Sequence, residues 1–384
     1  MSKFLLIPDS FKGTMSSEEI CSIMEKAIRK NQPEAEIISI PVADGGEGSV
    51  DAFLRAMGGE KVTITVKGPY FEDMEAFYGI VQDGEIAVIE MSACAGLPLV
   101  EGRADPRKTT TYGVGQLMED AIRRGCRKLI LGLGGSCTND AGTGAAAALG
   151  VIFSGRDGRP FIPTGGTLKD IQHIDTSKLL SALKEVELVA MCDIDNPLYG
   201  ERGAAYVFGP QKGAAPDIVQ ELDKGLRHLD QVLQRDLGLS LAEVKGAGAA
   251  GGMGFGVLAF FGALLQMGID TVLDTVRFDE LLTDADYVIS GEGKIDTQSI
   301  RGKVVIGIAR RTKKAGVPLI AIVGDIGDGI EEAYEMGVSG IFSINRVAVE
   351  YKDARKRAKE DLYLTVDNLM RYMKAIGKQN PPLL

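Results

Sequence analysis

Apolar and polar positions along the chain fall into alternating rhythms. Phe4–Pro8 is a short apolar run. Ile20, Ile23, Met24, Ala27 and Ile28 then recur at the three- and four-residue spacing of a helix that buries one face. Ser16, with Glu19 three residues on, marks the start of that helix as a capping box. Glu36–Val42 predicts a second strand and residues 49–57 a second helix. A strand–helix–strand–helix order predicts parallel strands with right-handed crossovers.

Between residues 61 and 91 the rhythm changes. Val62, Ile64 and Val66 alternate with Thr and Lys, the period of a half-buried strand. Glu75–Val81 and Ile86–Met91 bracket Gln82-Asp83-Gly84-Glu85. Asp-Gly is a hairpin signal, so these two strands are expected to be antiparallel. The first rhythm returns at Tyr287–Ser290, residues 304–315, Val317–Val323 and Gly340–Ile344. The simplest architecture is an α/β fold of two domains. Residues 1–62 and 284–384 form a Rossmann-like parallel-sheet domain, and residues 63–283 form an inserted mixed α/β domain. The length of 384 residues agrees, because single cores stop growing beyond about 250–300 residues.

Composition narrows the function. The 49 glycines gather at strand ends rather than in a repeat, which favours many tight turns. A net charge of −10 without a long basic run argues against an electrostatic nucleic-acid surface. No stretch reaches the roughly 18 consecutive apolar residues of a membrane span, and a strand at residue 4 leaves no room for a signal peptide. Five scattered cysteines without C-x-x-C spacing fit a reducing compartment, so a cytoplasmic protein is expected. His173 and His228, the only histidines, lie outside the glycine-rich loops; acid–base chemistry then falls to Asp, Glu or Lys. No distinctive interface segment stands out, which leaves the oligomeric state open.

In open parallel sheets, ligands bind beyond the carboxyl ends of the strands. Leu129-Ile130-Leu131 runs into Gly132-Leu-Gly-Gly-Ser-Cys-Thr-Asn-Asp-Ala-Gly-Thr-Gly144, followed by alanines to Ala148. This reads as strand, glycine-rich loop and helix, where backbone N–H groups and a helix N-terminus can approach an anion. Gly134, Gly135, Ser136, Thr138, Asn139 and Asp140 are expected to cradle part of a nucleotide. Similar strand-end loops carry Asp9 and Lys12, Asp44 and Glu47, Asp193 and Asp195, and Glu292, Lys294 and Asp296. Each alone reads more readily as a plain turn, but five of one character together point to a site. Asp193 and Asp195 share a face if the strand Val186–Cys192 continues through them; an Asx turn into Asn196-Pro197 is the competing reading. Carboxylates at a strand end suit Mg²⁺, which takes one or two of them plus substrate phosphates. Lys212 offers a point charge to phosphate and Arg301 a fork for a carboxylate, although each also reads as an ordinary surface residue.

Standard signatures are mostly missing. There is no G-x-x-x-x-G-K-[ST], so the chain is not a P-loop NTPase. Gly246-Ala-Gly-Ala-Ala-Gly251 matches G-x-G-x-x-G, but Leu237–Lys245 before it reads as helical or irregular where a dinucleotide site needs a strand. Helix packing or close backbone approach is the expected role of those glycines. Asp193-Ile-Asp195 is followed by Asn196-Pro197, which departs from an aspartyl-phosphate phosphatase start.

Several of these loops occur together and in order over nearly the whole chain. They are Pro8-Asp-Ser-Phe-Lys-Gly13, Val42-Ala-Asp-Gly-Gly-Glu-Gly48, Thr109-Thr-Thr-Tyr-Gly113 and the Gly134–Gly142 loop. Cys192-Asp-Ile-Asp-Asn-Pro197, Phe208-Gly-Pro-Gln-Lys-Gly-Ala214, Gly246-Ala-Gly-Ala-Ala-Gly-Gly252 and Gly291–Asp296 complete the set. Together they resemble the bacterial type I glycerate kinase family, with Cys137 and Ala141 standing where Ala and Gly are expected. The resemblance implies a two-domain α/β fold with one domain inserted in the other. It also implies ATP-dependent phosphorylation of D-glycerate, usually at the 2-hydroxyl, giving 2-phosphoglycerate and ADP.

Individual roles follow from what a kinase must do, which is to position reactants and neutralise charge on the transferring phosphoryl group. Asp193 is expected to take the hydroxyl proton and Asp195 to help hold Mg²⁺, two roles that are interchangeable on sequence grounds. Lys212 and Lys294 would stabilise phosphate oxygens, and Arg301 would pair with the glycerate carboxylate. Lys12, Asp44 and Glu47 are further substrate contacts, and Glu292 and Asp296 further metal contacts. Two other classes remain: an NAD-dependent hydroxy-acid dehydrogenase, which needs a strand before Gly246, and a non-catalytic sugar-acid or nucleotide-binding protein.

Overall fold

The structure is a computed structural model that describes residues 2–42, 45–297, 299 and 304–377. In chain order the strands of its two larger sheets are β1 (Lys3–Leu6), β2 (Glu36–Ser39), β3 (Glu60–Lys67), β4 (Asp73–Val81), β5 (Ile86–Glu90) and β6 (Lys128–Gly132). They continue as β7 (Glu187–Met191), β8 (Leu264–Gln266), β9 (Tyr287–Ser290), β10 (Leu319–Val323) and β11 (Val338–Ser343). The helices that matter most are α1 (Ser17–Asn31), α2 (Ser49–Met57), α3 (Tyr112–Arg123), α4 (Thr143–Ala148), α5 (Pro216–Leu237), α6 (Ala249–Phe261), α7 (Val304–Ala315) and α8 (Tyr351–Gly377). The chain divides into two compact units, Met1–Ala43 with Ile269–Leu384, and Asp44–Gly268.

The first unit holds a five-stranded sheet in the order β2-β1-β9-β10-β11, parallel throughout. β10 is buried along its whole length, as a parallel strand covered on both faces must be. Helix α1 opens on the expected capping box: Ser16 Oγ accepts the Glu19 N–H and the Glu19 carboxylate accepts the Ser16 N–H, both at 3.1 Å. Its periodic residues Ile20, Met24, Ala27 and Ile28 are buried with Leu362, Val366 and Met370 of α8.

The second unit holds a six-stranded mixed sheet, ordered β8-β7-β6-β5-β4-β3. The β3–β4 and β4–β5 pairs are antiparallel, and β5 to β8 run parallel. Asp83 and Gly84, with φ of 53° and 95°, make the turn between β4 and β5, so the Asp-Gly signal marks the hairpin. One sheet therefore contains both sequence rhythms.

The units divide at 43/44 and 268/269, whereas the sequence rhythm places boundaries at 62/63 and 283/284. Packing accounts for the difference. Gly79 of β4 lacks a side chain, and a Cβ there would come within 3.1 Å of Val50 and 3.3 Å of Leu54, so α2 lies directly on β4. At the other end, Arg311 of α7 pairs with Asp274 and Asp279, and Gly307 leaves room for Ile269. Among the described residues no helix is long and apolar enough to cross a membrane. All five cysteines are free, buried thiols.

Candidate active site

Strand β6, buried from Leu129 onward, delivers the chain into the Gly132–Gly142 loop, and glycines let its neighbours approach backbone to backbone. A Cβ on Gly132 would lie 2.4 Å from the Gly45 carbonyl oxygen, and one on Gly134 would lie 2.6 Å from Gly46 Cα. The Gly134 N–H donates to that Gly45 carbonyl at 2.9 Å. On the loop's other side, Gly251 has φ of 68° and its Cβ would meet the Thr138 carbonyl at 2.0 Å. Ala141, where the loop departs from the expected glycine, itself has φ of 53°.

The G-x-G-x-x-G match at Gly246–Gly251 is thus a packing device. After α5 ends at Leu237, Gly238 caps it in the left-handed region and no strand intervenes before Gly246. A nicotinamide-type loop lacks the strand it needs.

Asp140 is fully buried, and its carboxylate turns inward. It accepts the Thr111 N–H at 2.8 Å, the Thr111 hydroxyl at 2.9 Å, and the N–H groups of Gly142 and Gly144 at 3.2 and 3.3 Å. Burial pushes its carboxyl above the usual range while those four donors pull the other way. Of the N–H groups at the start of α4, expected to face a phosphate, those of Gly142 and Gly144 are therefore occupied by the protein's own carboxylate. Asp140 shapes the loop, and Gly134–Asn139 remains as its candidate ligand-binding stretch.

Lys212 reaches this stretch from the Phe208–Gly213 turn. Its ammonium is buried and donates to Ser136 Oγ at 2.8 Å and to the Thr138 carbonyl at 2.6 Å. Burial lowers its pKa to about 8, against the raising influence of Cys137 and Asp140 nearby. Among the described residues, Thr138 Oγ1 and both amide atoms of the fully buried Asn139 have no hydrogen-bond partner. An orphaned buried polar group costs about 1–3 kcal/mol, which marks this cluster as a candidate for polar atoms from outside the chain.

The remaining predicted residues fall elsewhere in their units. β7 ends at Met191, so the strand does not continue through Asp193 and Asp195, and their shared strand face is not formed. Asp193 instead accepts the Gly268 N–H at 2.7 Å, while Asp195 is exposed with Arg202 at 3.9 Å. Glu47 is exposed on the turn before α2. In the first unit, the loops after β1, β9 and β10 converge. The Asp9 N–H donates to the Gly291 carbonyl at 2.8 Å, and the Gly324 N–H to the Glu292 carbonyl at 3.1 Å. There Lys12 is exposed at a turn tip and Glu292 is buried. Lys294 Nζ stands 3.4 Å from the Asp296 carboxylate. Asp44 and Arg301 lie outside the described residues.

Sequence reading missed Thr111 and Glu90, two residues that hold these loops. Thr111 belongs to the Thr109-Thr-Thr run, which carried a resemblance but no role. Glu90 is the one charged residue of β5, and that solitary charge on an apolar strand is the signal that marks it.

The model of the glycerate kinase family matches residues 4–374. The chain belongs to the glycerate kinase family. A glycerate kinase of Halalkalibacterium halodurans is 45% identical over 90% of this chain and 91% of its own. The glycerate 2-kinase of Escherichia coli is 40% identical over 98% and 99% respectively. The crystal structure of a candidate glycerate kinase 2 from Salmonella typhimurium LT2 aligns with a TM-score of 0.88 at 39% identity, covering 99% of this chain and all of that one. As a member of the glycerate kinase family the protein is an ATP-dependent phosphotransferase, and the dehydrogenase and non-catalytic alternatives find no support. Among the described residues no three His, Cys, Asp or Glu side chains gather as a metal cage. Mg²⁺ commonly needs none, since it takes one or two carboxylates with phosphate oxygens, and exposed Asp195 or partly exposed Asp296 fits that donor type.

Proposed function

We propose that the protein transfers the γ-phosphoryl group of ATP to the 2-hydroxyl of D-glycerate, giving 2-phosphoglycerate and ADP. The observation that carries the site assignment is the buried Lys212 ammonium against Ser136 and Thr138, beside the orphaned amide of Asn139. A desolvated cation with unfilled donors and acceptors around it suits an anionic, oxygen-rich ligand. In this reading Gly134, Gly135, Ser136, Thr138 and Asn139 cradle the ATP phosphates, and Lys212 and Lys294 neutralise charge on them. Mg²⁺, held by Asp195, Asp296 or Glu292, would offset phosphate charge when bound. Lys12, Asp44, Glu47 and Arg301 serve glycerate, with Arg301 on its carboxylate.

The glycerate hydroxyl oxygen bonds to the γ-phosphorus as the bridge to the β-phosphate breaks, and Asp193 takes the hydroxyl proton. The Gly268 N–H, donating to that carboxylate at 2.7 Å, orients it. The two units are read as a Rossmann-like parallel-sheet domain made from both chain ends and a mixed domain inserted into it. Buried free thiols fit a cytoplasmic setting.

The test is ADP release with ATP, Mg²⁺ and a panel of small hydroxy acids, with the product's phosphate position read by ³¹P NMR. ADP that appears with glycerate alone, together with 2-phosphoglycerate, is the expected result; no ADP in any mixture sinks the reading. Asp193→Asn is expected to lower kcat by about 10²-fold, the low end for a lost general base. Near-normal turnover in that variant would move the base to Asp195 or elsewhere.

A further inference from the structure

Glu90 ends β5, opposite Gly132 of β6 in the sheet register. It is buried, and its carboxylate accepts the Val50 N–H at 2.6 Å and also bonds the Gly48 N–H. Both donors belong to the start of α2. Gly48 sits in the left-handed region with φ of 90° and supplies no side-chain cap. Glu90 therefore caps this helix from another element of the fold, in the place that a local Ser or Asp usually fills.

The turn ahead of α2 is closed by the Gly46 carbonyl, which accepts the Ser49 hydroxyl at 2.8 Å. That same turn meets the Gly132–Gly135 loop main chain to main chain, by the Gly134 N–H on Gly45 and by the two contacts that a Cβ at Gly132 or Gly134 would block. Across that close backbone contact, a shift of one loop passes directly to the other. The Met91 N–H, next to Glu90, donates to the Gly132 carbonyl at 3.1 Å and ties the same strand end to the same loop.

We infer that Glu90 is a positioning residue: by holding the start of α2 it fixes the Gly45–Gly48 turn against the Gly132–Gly135 loop, and so sets the place of the phosphate cradle. The inference rests on the proposed function in taking that loop as the cradle. Its chemistry is specific to a carboxylate. Glutamine at this position keeps the shape but removes the negative charge that the Val50 and Gly48 N–H groups share.

The experiment compares the full-length wild type with Glu90→Gln by hydrogen exchange and by steady-state kinetics. Peptides spanning 45–52 and 132–136 are expected to exchange about tenfold faster in the variant, while β7 does not change. Turnover is expected to fall about tenfold with the KM values for ATP and glycerate within about threefold, the mark of misplaced rather than unbound reactants. Faster exchange at 45–52 alone overturns the coupling of the two loops. Faster exchange at both with unchanged kcat overturns the positioning role. Should Glu90→Gln fail to fold, Glu90→Asp, which keeps the charge one methylene short, is expected to give the same pattern. A wild type that releases no ADP with glycerate overturns the functional reading instead, and the exchange data then decide the loop coupling separately.

Discussion

Lys212→Met is expected to reduce glycerate-dependent ADP release by about 10³-fold, the upper range for loss of a preorganised charge-stabilising group. Methionine keeps an unbranched apolar stem in the space the lysine occupies, so the change removes chiefly the ammonium. It also leaves Ser136 Oγ and the Thr138 carbonyl without the donor they have now, at a cost of about 1–3 kcal/mol for a buried orphan. A melting curve beside the assay separates that effect from lost chemistry. The pH dependence supplies a second handle. Burial brings the Lys212 pKa down to about 8, so activity that needs the ammonium is expected to fall as pH rises through about 8. Lys212→Arg, whose guanidinium stays charged, is expected to retain any residual activity across that limb. A profile flat from neutral to well above pH 9 would remove Lys212 from the mechanism.

Stability moves in the opposite sense with pH. The folded pKa lies below the unfolded value of about 10.4, so between about 8 and 10.4 the unfolded chain holds the proton more firmly. The contribution of Lys212 to stability therefore rises with pH through that window, and its cost is complete below about pH 8. A protein that bears this cost at neutral pH has a use for a buried charge, which is the physical ground for placing it at phosphate.

Asp140→Ala is expected to destabilise the protein by about 3–5 kcal/mol, because four donors lose a shared acceptor and non-additivity limits the sum. For a unit of this size that corresponds to a fall of roughly 10 °C in Tm. Three of the donors are buried backbone N–H groups that water cannot reach. Thr111→Val removes the hydroxyl that donates to Asp140 and accepts the Ala145 N–H at 2.9 Å, and is expected to cost about 1–3 kcal/mol. The double variant is expected to lose less than the sum, since both act on one network. Full additivity in denaturant melts, or a wild-type Tm for Asp140→Ala, would show that the loop holds its shape without this carboxylate.

Much of the architecture was legible in the chain. Local rhythm marked the helix with its Ser16–Glu19 capping box, the antiparallel β4–β5 pair at Asp83-Gly84 and the parallel strands at both ends of the chain. Those features depend on residues a few positions apart, which a sequence displays directly. The division at 43/44 rather than 62/63 was not legible, because α2 belongs with β4 through the missing side chain of Gly79. The Asp193–Asp195 pairing also depended on where β7 stops, and a chain segment rich in Asp and Asn does not announce whether it continues a strand or leaves it.

What the sequence by itself determined was the kind of protein: its elements, its glycine-rich strand-end loops and, through their order, its family. What only the tertiary structure decided was the duty of each residue in those loops. Asp140 reads as a ligand in sequence and is a structural acceptor in the fold. Lys212 reads in sequence equally as a phosphate contact or a solvated turn lysine, and in the fold it is a buried cation held by Ser136, 76 residues away. The physical reason is that the role of a polar side chain is set by burial and by its hydrogen-bond partners, and partners brought from distant parts of the chain leave no trace in local periodicity.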